Sequence, residues 1–186
     1  MALFEFDVEY GRFPDSTTAD EVTTRTGSTL LGGGGTSANA YFRQLIAANI
    51  ANSEQIFYAR TEFSVKPDDV FHDTTSALRP GEVGFGYIMR DASTAFSSAG
   101  NPARPIACAP LAFDGGSPST TLFDPDIYDG KAVLLRLDNS AVSVNINQER
   151  QAIVNGQDLL TPGVATVWGA GPAPVIVAPE PRGAGG

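Results

Sequence analysis

One cysteine, one histidine and one tryptophan in 186 residues leave several chemistries without material. Cys108 alone cannot close an intramolecular disulfide. Acidic exported proteins often do without one, so the redox compartment stays open. Its flanks, Ile106, Ala107 and Ala109, mark Cys108 as a small core residue. Charge is also scarce, at 18% of residues, and 12 Lys+Arg face 21 Asp+Glu for a net charge of −9. The basic residues are scattered singly from Arg12 to Arg182, with no stripe to neutralise phosphates. Nucleic acid and anionic membrane surfaces are therefore excluded as partners. No apolar run reaches the roughly 18 residues that a membrane-crossing helix needs. There is no secretory signal with a basic start and an apolar stretch. Met1 leads straight into Ala2-Leu3-Phe4-Glu5-Phe6, which reads as the middle of a longer chain whose N-terminal segment has been removed.

What is present is a 42% hydrophobic fraction together with 20 Gly and 13 Pro. Such a mixture predicts one core carrying long, turn-rich loops. The expected organisation is a single globular domain over residues 1–171 and a loose Pro/Ala/Gly-rich tail over 172–186. No internal repeat is visible.

Leu3, Phe6, Tyr10 and Phe13 line one face of a helix, which Gly11 and Pro14 then end. Residues 15–36 are rich in Ser, Thr and Gly and read as a long loop. Thr36 or Ser37 can cap a second helix through about Ala51, whose apolar face is Tyr41, Phe42, Leu45, Ile46 and Ile50. After an irregular stretch, Val83, Phe85 and Tyr87 alternate with Gly84, Gly86 and Ile88. That pattern predicts a strand with one nearly bare face on which a helix could lie. Residues 131–147 read as a hairpin: Val133, Leu135 and Leu137 on one arm, Val142, Val144 and Ile146 on the other, turning at Asp138-Asn139-Ser140. Asn155-Gly156 is a further turn. The expected fold is α+β, with two helices packed on one face of a small antiparallel sheet.

Catalysis finds few footholds. His72 lies in a loop without a nucleophile elbow of the Gly-x-Ser-x-Gly type anywhere in the chain. Gly32 to Gly35 precede a helix but lack the lysine of a phosphate loop. Trp168 could offer a sugar platform or simply anchor packing. Asp124, Asp126 and Asp129, followed by Gly130, could hold calcium; alternatively, they turn the chain into the hairpin. Their spacing is not that of an EF-hand loop. No enzyme activity is expected.

The segment Leu3-Phe4-Glu5-Phe6-Asp7-Val8-Glu9-Tyr10-Gly11-Arg12-Phe13-Pro14 resembles the helix end of type II secretion major pseudopilins, within the type IV pilin-like family. Tyr41 to Leu45, Ser53 to Ala59, Pro80 to Tyr87 and Gly130 to Asp138 are similar to a pilin-like branch of Gram-negative bacteria. The resemblance implies a pilin-like head, a cleaved and methylated leader, and an apolar helix seated in the inner membrane. It implies other pilin-like subunits as partners, in a pilus or pseudopilus reaching from periplasm to cell surface. It also brings calcium forward at Asp124, Asp126 and Asp129, since major pseudopilins carry calcium in their C-terminal loops. The paired cysteines of many type IV pilins are missing, which favours a pseudopilin. The competing expectation is an exported or surface-exposed adhesin module that recognises a glycan or a host protein.

Overall fold

The computed structural model describes residues 2–32 and 35–183. Among these residues three short helices, α1 (Ala2–Tyr10), α2 (Thr18–Thr26) and α3 (Ala38–Ala47), precede a 3₁₀ turn at Glu54–Phe57. Nine strands follow: β1 (Gly86–Met89), β2 (Pro105–Ala109), β3 (Leu111–Asp114), β4 (Ser117–Phe123) and β5 (Lys131–Arg136), then β6 (Ala141–Ile146), β7 (Ala152–Val154), β8 (Gln157–Asp158) and β9 (Val175–Val177).

Seven strands form one antiparallel sheet in the order β8-β7-β6-β5-β2-β1-β9, which curls into a half-barrel; β3 and β4 pair separately. This corrects the expected α+β, pilin-like sandwich. The sheet is the body of the molecule, and the helices, nine or ten residues each, are attachments to it. Three very short strands make the difference. β7, β8 and β9, of three, two and three residues, widen the sheet at both edges. Among the described residues no helix is long and apolar enough to cross a membrane.

α1 buries Leu3, Phe6 and Tyr10 and ends where Gly11, at φ +78°, donates its N–H to Asp7 O at 2.8 Å. α3 starts at Ser37, whose hydroxyl accepts from Ala40 N–H, and buries Tyr41, Phe42, Leu45 and Ile46. The stretch expected to be a loop contains α2, which buries Val22 and closes at Gly27 in the left-handed conformation. The expected loose tail supplies β9, antiparallel to β1. Beyond it, Arg182 N–H donates to Phe63 O at 3.0 Å.

Register places Val177, Tyr87, Ala107, Leu135 and Ala141 in one row on the same sheet face. Phe42 and Tyr41 of α3 pack on Tyr87, with ring centroids 5.1 and 5.9 Å away. Gly86, Cys108, Leu134 and Val142 form the neighbouring row on the opposite face. There a Cβ on Gly86 would meet Ile176, Leu111 and Cys108, and one on Gly84 would meet the backbone of Ala59. Those two glycines make room for a strand and a loop, not for a helix.

Candidate functional site

The helices cover only the β1 end of their sheet face. Where the row runs out from under α3, Ala107, Val133, Leu135 and Ala141 floor an open trough of about 360 Å³. Phe42 and Leu45 of α3 and Ala2 and Leu3 of α1 form one wall; Ile56, Phe57 and Phe85 complete the lining. Every lining side chain is apolar, and Val133 and Ile56 remain 36% and 54% exposed. Sheets of this kind bury one face against something. Here part of the apolar face is left uncovered by the described residues.

Beside the trough lies a cluster of acids. Carboxylate oxygens of Glu54, Asp68 and Glu82 come within 4.8 Å of one another. Glu54 begins the 3₁₀ turn that gives Ile56 and Phe57 to the trough. Its Oε1 accepts from Leu78 N–H at 2.6 Å, while its buried Oε2 has no partner among the described residues. Leu78 is itself fully buried at φ +45°, a conformation that bulky side chains rarely adopt. The Arg79 guanidinium bonds Asp68 and, at 3.1 Å, Glu82. Burial pushes the Glu54 carboxyl above its ordinary range, against the lowering by Leu78 N–H; the nearby charges of Glu82, Asp68 and Asp69 push it further up.

Asp124, Asp126 and Asp129 lie in the turn into β5. Asp124 Oδ1 accepts from Asp126 N–H at 2.9 Å, and Asp129 sits at φ +50° beside Gly130 at φ +72°. The structure does not gather these three as it gathers Glu54, Asp68 and Glu82. His72 is exposed, and its N–H is bonded to Ser76 Oγ at 3.0 Å. Of the Gly32 to Gly35 run, Gly33 and Gly34 lie outside the described residues. Trp168 is a packing anchor, stacked on Phe96 with Nε1–H donating to Leu159 O at 2.5 Å. Neither the trough nor the cluster was a site read from the sequence. Ile56 and Phe85 look like any core residue there, and the three acids are 14 positions apart along the chain.

Cys108 is fully buried in β2, with Gly86 O 3.8 Å from its sulfur, and burial pushes its thiol well above the ordinary range. The folded protein is expected to leave an aromatic disulfide reagent unreacted, with one equivalent of thiol released only in denaturant. Rapid reaction without denaturant would contradict this burial. Comparison with protein-family models, with curated proteins and with solved structures finds no match.

Proposed function

We propose that this chain is a structural subunit that works by assembly into a filament, with the trough receiving an apolar helix of a neighbouring pilin-like subunit. The observation that carries the reading is the wholly apolar lining of the trough. Small-molecule sites keep a few polar groups that fix the ligand's orientation, and none of the trough's side chains can do so. An amphipathic helix needs no such group, since it lays its apolar face into a groove. The likeness of residues 3–14 to a pseudopilin helix end supports the same reading, because Ala2 and Leu3 at the start of that helix form part of the trough wall. The half-barrel lends it no support. Function resides in sites more than in folds.

The test is a titration of the protein, labelled with ¹³C in its methyl groups, with a soluble helical peptide carrying Leu and Ala on one face. Shifts are expected at Leu3, Leu45, Ile56, Val133 and Leu135. Val133→Glu, at a half-exposed position, should weaken the peptide by roughly tenfold or more while leaving the fold intact. Decanoate serves as the competing probe. Binding of decanoate without the peptide would make the trough a lipid pocket, and binding of neither would remove its role; either result overturns the proposal.

A further inference from the structure

We propose that Glu54, Asp68 and Glu82 form a site for a calcium-sized divalent cation, in which the Arg79 guanidinium is a displaceable stand-in. The key observation is the Glu54 carboxylate, which is 0% exposed. One of its oxygens is satisfied by Leu78 N–H, and the other is buried without a donor. An orphaned buried oxygen of this kind points to a ligand. Its carboxylate already lies within 4.8 Å of the other two. Oxygens bound to one calcium at about 2.3–2.6 Å can stand up to roughly 5 Å apart across the ion, so all three can share it. With no nitrogen or sulfur donor in the set, the chemistry selects a hard cation. Calcium tolerates irregular oxygen cages, whereas magnesium demands a near-ideal octahedron.

Arg79 bridges Asp68 and Glu82 but leaves Glu54 Oε2 without a partner. Its side chain is 47% exposed and that of Asp68 is 42% exposed. The guanidinium can therefore swing outward, and water can complete the coordination shell from that side. A divalent ion would then bring more positive charge to three carboxylates than the guanidinium does. This site does not rest on the trough reading, although the turn that begins at Glu54 also serves the trough.

The experiment is calorimetric titration of the full chain with calcium chloride after chelator treatment, with Tm followed in parallel. Saturable binding in the millimolar range or tighter is expected, with Tm rising as calcium is added. Glu54→Gln should weaken binding by about tenfold or more, because the amide keeps the shape and the Leu78 bond but loses the charge. Asp68→Asn, at a side chain that is 42% exposed, should weaken it too. Arg79→Gln should strengthen it by removing the competing cation. Val133→Glu should leave it unchanged, so failure of the trough leaves this result standing. No saturable heat with the unaltered chain, or an affinity in Asp68→Asn and Glu54→Gln equal to that of the unaltered chain, would overturn the site.

Discussion

Gly84→Ala is expected to destabilise the protein by about 3 kcal/mol or more, beyond the usual range for overpacking. For a chain of this size that corresponds to a fall in Tm of roughly 10 °C. A Cβ on Gly84 would lie 2.3 Å from Ala59 O, 2.5 Å from Ala59 N and 2.8 Å from Ala59 C. All three are backbone atoms, so no rotamer change can relieve the clash. The two segments are held together where Gly84 N–H donates to Phe57 O at 3.0 Å. Pushing them apart would move Phe57 and Phe85, which flank the contact and line the trough. Peptide-induced methyl shifts should therefore weaken along with stability. Gly171→Ala is the control: nothing lies within 4 Å of its Cβ position, and its φ is ordinary. Its effect should stay within about 0.5 kcal/mol. Equal melting temperatures for the two variants would mean that the Gly84 contact is looser than the structure has it.

The elements that were legible in the sequence are those whose period survives several residues. Leu3, Phe6 and Tyr10 repeat at helical spacing and do line the buried face of α1. The hairpin read at residues 131–147 is present as β5–β6, but its register sets Val142 and Val144 opposite Leu134 and Ala132, so the alternating sets Val133/Leu135 and Val142/Val144 lie on opposite faces. Asn155-Gly156 turns β7 into β8 with both residues at positive φ. Two or three residues cannot display a period, however. β8, and β9 inside a Pro-rich stretch, therefore gave no signal, and the sheet read as small. The trough was hidden for a different reason. Phe42, Leu135 and Val133 are apolar whether a neighbouring element covers them or not, so burial patterns cannot separate an uncovered sheet face from a core. The acidic cluster depends on a loop that folds Asp68 and Glu82 back against Glu54. Local sequence records nothing of that return.

α2 shows the same limit and supports the other large effect, since a buried aspartate replaces the missing apolar stripe. Asp15 is 0% exposed, and its Oδ1 accepts from Thr17 N–H at 2.8 Å, Thr17 Oγ1–H at 2.7 Å and Thr18 N–H at 3.1 Å. Its Oδ2 accepts from Ala95 N–H at 3.3 Å, with the Arg12 guanidinium 3.8 Å away. Gln44 of α3 donates to Asp15 O and accepts from the Thr18 hydroxyl. The carboxylate thus satisfies the first amides of α2 and ties that helix to the loop at Ala95, while the Asp15 carbonyl and the Thr18 hydroxyl tie it to Gln44 of α3. Asp15→Ala would leave three buried or half-buried amides without acceptors and Arg12 without its partner. The expected loss is about 3–5 kcal/mol, at about 1–3 kcal/mol for each buried amide left unsatisfied. Asp15→Asn keeps an acceptor for Thr17 and Thr18 but turns an NH₂ group towards the Ala95 N–H. Its cost should be smaller, about 1–3 kcal/mol. Urea unfolding gives the two energies, and amide exchange locates them. Fast exchange at residues 17, 18 and 95 in Asp15→Ala, and at 95 alone in Asp15→Asn, with the β5–β6 amides still protected, would mark a local anchor. Loss of protection across the sheet at the same rate would instead make Asp15 part of the global core, with α2 unable to melt alone.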